Sequence, residues 1–283
     1  MKKGMTGDES LFEKNWQTRE ESYYNHWTKD EPANQIQFAF RNHWEVFQEL
    51  MRDNHFNKGR RCLEVGCGRG SISAYFADAG FDCTLLDVSP DVIEIARKIY
   101  KKNNLKAKFV VGDANDLPFS EGSFDIVVSI GLLEHFENFD KTIGEQVKML
   151  APGGLFLGYI VPKYTDNIQK DYEWINQVLK GYKKEGRIAS KEEVFRSDTP
   201  SSVYLKAMKA SGLEASKSSG IYSVPMISHS IDFPFSLMPE ESEKALLLHF
   251  KKLFAERKKK SDKHPWLCKE GFGQSFLVWG YKK

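Results

Sequence analysis

The sequence predicts a doubly wound α/β protein built on a mostly parallel, seven-stranded sheet. Three observations predict it. From about residue 60, short apolar runs alternate with segments of helical periodicity, the pattern of successive βα units. A turn carrying three glycines joins the first run to the first helix. Two late apolar runs, with no crossover helix between them, would pair antiparallel and finish the sheet, although a long insertion separates them.

Each element has its own warrant. Arg61–Val65 is an apolar run that ends at glycines, and the helix after it presents Ile72, Tyr75, Phe76 and Ala79 before Gly80 stops it. Residues 83–86 form the second strand. Ser89-Pro90-Asp91 opens the next helix with a capping hydroxyl, a proline at the first helical position and an acid at the positive end of the dipole. Val92, Ile93, Ile95, Ala96, Ile99 and Tyr100 mark its buried face. Lys108–Val111 and 124–129 are the third and fourth strands. A helix over 142–150 leads through Pro152-Gly153-Gly154 into a fifth strand at 155–161. Residues 201–211 read as a helix, and 213–224 and 274–281 as the two late strands. The chain divides into a helical lid at 1–57, a ligand-binding core at 58–162, and a closing part at 163–283 with covering insertions at 163–200 and 225–270.

Composition narrows the function classes. The chain has 283 residues, 28% charged and 41% apolar, with a formal net charge of +2. That charge is too small to imply a nucleic-acid or membrane partner. The four cysteines (Cys62, Cys67, Cys83 and Cys268) have no framework spacing and no CxxC pair, which suits reduced thiols in the cytoplasm. There is no run of 18 apolar residues and no signal-peptide core in the first ten residues, so neither a membrane span nor export is expected.

The run Glu64-Val65-Gly66-Cys67-Gly68-Arg69-Gly70 lies between a strand and a helix. Glycines at alternate positions let the backbone turn sharply and approach a ligand closely, beside the free N–H groups of a helix start. A bare strand–helix turn would look the same in isolation. The spacing is G-x-G-x-G, with Ser71 where a dinucleotide fingerprint wants its third glycine, which argues against a nicotinamide or flavin site. Asp87 closes the second strand, where a carboxylate could accept from two ribose hydroxyls or merely cap the next helix.

The runs LEVGCGRGS at 63–71, LLDVSPDVIEIAR at 85–97, GDANDLPF at 112–119, FDIVVSIGLLEHF at 124–136 and LAPGGLFL at 150–157 resemble the class I S-adenosylmethionine-dependent methyltransferases, in the right order. The resemblance implies their Rossmann-like fold and S-adenosyl-L-methionine as cofactor. By it, Gly66, Gly68 and Gly70 surround the methionine part, with Glu64 fixing the loop. Asp87, with Val88 following, holds the ribose. Asp113 receives the adenine amino group beside Ala114, and Ser129 and Gly131 lie near the sulfonium. It is silent on the substrate.

On the acceptor side, His135 is a candidate base or orienting group, since imidazole titrates near neutrality; it could equally order its loop. Tyr24 is a second catalytic candidate. Tyr23, Trp27 and Tyr159 are candidates for the pocket wall, with the aromatics at 164–182 next. The early aromatics could form a lid that excludes water, or a helical layer packed on the sheet. His26 and His43 lack metal-ligand spacing and read as ordinary helix residues, so no metal is expected. These observations favour a methyltransferase acting on a small organic acceptor through O, N, C or S. The rivals are a tRNA or protein methyltransferase and a cofactor-binding scaffold without catalysis.

Overall fold

A computed structural model describes residues 26–52, 56, 59–163, 195–221, 240–273 and 275–283. The candidates Tyr23 and Tyr24, the aromatics at 164–182 and the first part of the late insertion lie outside the described residues.

The elements run α1 (Gln35–Arg52), β1 (Arg61–Val65), α2 (Ser71–Asp78), β2 (Asp82–Asp87), α3 (Pro90–Lys102), β3 (Lys108–Val111), β4 (Phe124–Ile130), α4 (Phe139–Met149), β5 (Leu150–Ile160), α5 (Ser201–Ala210), β6 (Leu213–Ile221), α6 (Glu240–Lys260), β7 (Leu267–Cys268) and β8 (Ser275–Lys282). The strands form one sheet in the order β3-β2-β1-β4-β5-β8-β6-β7. β1 to β5 are parallel, and β8 runs antiparallel between β5 and β6. The strand order reverses between β1 and β4, so a crevice opens there beyond their carboxyl ends.

Two expectations are corrected. The sheet has eight strands, because Leu267 and Cys268 pair with Ile221 and Gly220; two residues are too short to carry a period. The fifth strand starts at Leu150. It pairs there with Phe124, detours through the Pro-Gly-Gly turn and resumes at Leu155 opposite Ile126. The apolar pattern catches only the regular part.

Both faces of the sheet are covered, which is why its strands are continuously apolar. One core gathers Phe38, Phe47, Phe76, Ile93, Ile126 and Phe250 under α1, α2, α3 and α6. The other gathers Val65, Val127, Ile143, Phe156, Tyr204 and Val278 under α4 and α5. α3 starts as its sequence requires: the Ser89 hydroxyl accepts from the Val92 N–H, Pro90 follows, and Asp91 sits in the first turn. α1 lies on α2, with Trp44 stacked on Tyr75 and edge-on to Phe76 at 4.9 Å. α6 lies on α1 through Phe38–Phe254 and through Glu243, which accepts from the Gln35 backbone N–H at 3.0 Å. Phe38, Trp44 and Phe47 are therefore a buried face of α1, and Trp27, ahead of the helix, is buried beside them. Among the described residues, no helix is long and apolar enough to cross a membrane.

Candidate active site

The glycine loop is fixed before any ligand is considered. The Cys67 N–H donates to the Leu86 carbonyl at 2.9 Å, tying the loop to β2. The Tyr100 hydroxyl donates to the Gly70 carbonyl at 2.8 Å. Glu64 is buried and accepts from the Ser73 N–H at 3.1 Å; burial pushes its carboxyl up to about 8. Gly66 has φ of +68°, and a Cβ there would stand 2.7 Å from Leu132 Cδ1. The loop must present bare backbone at that point.

Asp87 lies at the adjoining strand end. Its Oδ2 accepts from the Gly68 N–H at 2.9 Å and its Oδ1 from the Ser89 N–H at 3.1 Å. Burial pushes its carboxyl up, opposed by these N–H groups. Each carboxylate oxygen accepts more than one bond, so capacity for ribose hydroxyls remains. Val88 beside it is 40% exposed, a large apolar surface open at the lip. The next strand brings up the second acid: the Gly112 N–H donates to the Asp87 carbonyl at 2.9 Å, and Asp113 follows it. Asp113 is exposed and accepts from the Asn115 N–H at 2.8 Å, while Ala114 is buried. The Thr142 hydroxyl donates to Asn115 Oδ1 at 2.7 Å, tying this loop to α4. Gly68, Asp87 and Asp113 therefore gather at one lip.

At the end of β4, Ser129 is buried and its hydroxyl has no hydrogen-bond partner among the described residues. Gly131, with φ of +64°, donates its N–H to the Tyr159 carbonyl at 2.9 Å. Glu134 is buried; its Oε1 accepts from the Val161 N–H at 3.1 Å and its carbonyl accepts from the Ser197 N–H at 2.9 Å. Desolvation raises its carboxyl to about 7. His135 Nδ1 lies 2.7 Å from the Phe195 carbonyl oxygen. A carbonyl can only accept, so that nitrogen carries the proton. Burial lowers the ring to about 4, which keeps it neutral at physiological pH. A cavity of ≈ 440 Å³ is lined by its neighbours Phe136, Glu137 and Phe195 with Phe139, Lys163 and Arg196, and His135 itself is not among the lining residues.

The remaining wall candidates lie deeper. Trp27 is in the core. Tyr159 is buried on β5, its ring 4.5 Å from His43 and its hydroxyl 2.7 Å from Ser275 Oγ. His43 is buried on α1 and its Nδ1 accepts from the Trp266 indole N–H at 2.9 Å. His26 precedes α1 and bonds to Ser71, a contact separated by 45 residues that no local signal could give. Among the described residues, no cluster of three or more His, Cys, Asp or Glu could hold a metal ion.

An adenosyl ligand suits this set: bared backbone at Gly66, two acids on neighbouring strand ends, and an unpartnered buried hydroxyl at Ser129. Residues 63–158 match the family described as methyltransferase domain. Norajmaline N-methyltransferase of Rauvolfia serpentina is 36% identical over 104 residues, covering 36% of each chain. A fatty-acid O-methyltransferase of Mycolicibacterium smegmatis is 38% identical over 111 residues, 38% of each. Sterol 4-C-methyltransferase strm-1 of Caenorhabditis elegans is 32% identical over 112 residues, 39% of this chain and 33% of its own. The chain thus spans little more than a third of the length of these curated relatives. Among solved structures, a candidate sarcosine dimethylglycine methyltransferase of Galdieria sulphuraria has a TM-score of 0.54 at 16% identity, covering 97% of both chains. The cyclase SpnF has 0.52 at 18%, covering 97% of this chain and 92% of its own; these likenesses speak for the fold alone. Over residues 63–158, about a third of its length, the chain is thus similar to methyltransferase domains.

Proposed function

We propose that this protein transfers the methyl group of S-adenosylmethionine to a small organic acceptor in the cytoplasm, by in-line displacement that releases S-adenosylhomocysteine. The observation that carries the reading is the Gly68–Asp87 hydrogen bond at the reversal of strand order. It joins the loop expected to hold the methionine part to the acid expected to hold the ribose.

The cofactor, when bound, supplies an electrophilic methyl carbon on a sulfonium. The chain's own residues position and shield it. Gly66, Gly68 and Gly70 give backbone contact without side chains, and Glu64 holds the loop to the start of α2. Asp87 takes the ribose hydroxyls beside Val88. Asp113 takes the adenine amino group next to Ala114. The Ser129 hydroxyl and Gly131 face the sulfonium end. Positioning of this kind is worth up to about 7–11 kcal/mol in favourable cases.

His135, neutral and held by the Phe195 carbonyl, serves to orient an acceptor in the adjoining cavity or to take up its proton. Tyr24 and Tyr23 stay candidates for the acceptor side, while Trp27 and Tyr159, buried in the core, would support the pocket from behind rather than line it. Relatives that methylate an alkaloid nitrogen, a fatty-acid oxygen and a sterol carbon support a small acceptor while leaving its reacting atom open.

Asp87→Ala tests the cofactor half. Loss of a charge-assisted hydrogen-bond acceptor should weaken S-adenosylmethionine and S-adenosylhomocysteine by roughly tenfold or more in isothermal titration. Unchanged affinity would remove Asp87 from the site. Transfer of a labelled methyl group into cell extract, with the product identified, tests the acceptor half.

A further inference from the structure

The cavity of ≈ 440 Å³ has a wall that comes from far along the chain. It lies beyond the carboxyl ends of β4 and β5, where Phe136 follows one strand and Lys163 the other, and residues 195–199 bound it. Three hydrogen bonds hold that wall to the strand ends. The Ser197 N–H donates to the Glu134 carbonyl at 2.9 Å, and the Lys163 N–H donates to the Ser197 carbonyl at 3.0 Å. The His135 Nδ1–H donates to the Phe195 carbonyl at 2.7 Å. Just beyond, the Ser201 N–H donates to Glu270 at 2.8 Å and fixes the start of α5. The wall is therefore set before a ligand arrives.

The lining combines an apolar surface with one unsatisfied charge. Phe136 and Phe139 are buried, whereas Phe195 is 38% exposed, a large apolar area that a ligand's hydrocarbon body would cover. Arg196 is half-buried and makes no hydrogen bond or ion pair among the described residues. Burial dominates the shifts of Glu134 and His135, raising the one and lowering the other, and the Arg196 charge lowers both. That charge therefore reaches the turn after β4. The other charged lining residues, Lys163, Glu137 and Asp198, are exposed and keep their water. A planar guanidinium takes a carboxylate through two parallel N–H bonds. With Glu137 and Asp198 set against Lys163 and Arg196, the lining as a whole is neutral. It suits one negative charge held at Arg196 and disfavours the two of a phosphate.

We propose that this cavity is the acceptor site and takes a small carboxylic acid with an apolar body, its carboxylate paired with Arg196 and its body laid on Phe195. The inference rests on the methyl-transfer reading above and names the class of molecule which that reading leaves open. The volume falls within the range of about 300–1,000 Å³ usual for small-molecule sites. Arg196 is then the residue that selects the acceptor by charge, and the aromatic rings accept bodies of varied shape.

Three probes that share one ring system test the charge rule: 2-naphthoate, the neutral 2-naphthamide and 2-naphthyl phosphate. Each is titrated into the wild type, Arg196→Ala and Arg196→Lys, with Kd read by ligand-observed NMR. S-adenosylhomocysteine is titrated calorimetrically into the same proteins. The wild type should bind 2-naphthoate most tightly of the three. Arg196→Ala should weaken 2-naphthoate about tenfold, the effect of a lost charge-assisted pair, and leave 2-naphthamide and S-adenosylhomocysteine within about twofold. Arg196→Lys, which keeps the charge and loses the fork, should fall between. The acceptor itself is sought in the small-molecule fraction of a cell extract passed over an anion-exchange resin at neutral pH. Labelled methyl should enter the retained part, and Arg196→Ala should need about tenfold more of it for half-saturation. The proposal is overturned if 2-naphthoate does not bind, if Arg196→Ala weakens 2-naphthoate and 2-naphthamide equally, or if 2-naphthyl phosphate binds more tightly. An acceptor found only in the unretained part overturns it as well. Failure of S-adenosylhomocysteine to bind defeats the methyl-transfer reading, and with it the acceptor role, while the three probes still decide whether the cavity takes a carboxylate.

Discussion

Gly70→Ala is expected to destabilise the protein by about 2–5 kcal/mol, the sum of a left-handed backbone cost of about 1–2 and an overpacking cost of about 1–3. Gly70 has φ of +69°, and a Cβ there would stand 2.3 Å from Leu85 Cδ2 and 2.9 Å from Tyr100 Cε2. Neither neighbour can yield easily. Leu85 is wholly buried in β2, and Tyr100 is buried and held by its own hydroxyl, which donates to the Gly70 carbonyl. Relief would have to come from moving the loop, the very part that carries Gly68 to Asp87. Against a typical total of about 5–15 kcal/mol, this is a large fraction of the stability. Gly153→Ala is the control. Its φ is +74°, but a Cβ there meets nothing within 4 Å, so only the backbone cost of about 1–2 kcal/mol applies. Urea unfolding of both variants separates the two contributions, and equal midpoints would show that the packing around Gly70 relaxes freely.

What could be read from the sequence is what neighbouring residues decide. The Ser89-Pro90-Asp91 start of α3 is a local device, and it caps the helix in the structure as written. The glycine spacing and Asp87 at the end of β2 are local as well, so the lip of the site was legible as a set of positions. Contacts across the fold were not. His26 and Ser71 are 45 residues apart, and neither lies in a pattern that links them. His26 and His43 read as ordinary helix residues, whereas His26 precedes α1 and both rings are buried among aromatics. No local signal sets Glu134 apart, yet it is buried and ties the turn after β4 to Val161 and Ser197. β7 exists because Ile221 and Gly220 leave an edge that Leu267 and Cys268 can pair with, a condition set by the partner strand. The physical division is between propensity, which travels with the residue, and pairing, which depends on where the chain returns.

The two buried glutamates make the stability fall as pH rises. Glu64 stands at about 8 and Glu134 at about 7 in the folded protein, each raised chiefly by burial from an ordinary carboxylate value. In the window between those values and the unfolded pKa of about 4.3, the folded state holds protons that the unfolded state has lost. More protons bound in the folded state means that raising pH favours unfolding. The contribution is therefore fully present below about pH 4.3 and is lost as pH climbs through about 7 for Glu134 and about 8 for Glu64. The neighbours act in opposite directions: the Asp87 charge adds to the rise at Glu64, and Arg196 pulls Glu134 down. Each site can cost at most about 1.4 kcal/mol per pH unit, the limit for one proton. Glu64→Gln can keep the bond from the Ser73 N–H through its amide oxygen and removes the titration; Glu134→Gln does the same for Val161. Urea midpoints from pH 5 to 9 should fall steeply for the wild type, less for each single variant and least for the pair. Between about pH 7 and 8 the wild-type midpoint should still fall while that of the Glu64 variant levels off, so the two differ most from about pH 8 upward. Midpoint curves that run parallel for all four proteins would mean that both carboxyls titrate normally in the folded state, through water reaching them or by movement of the loops they hold.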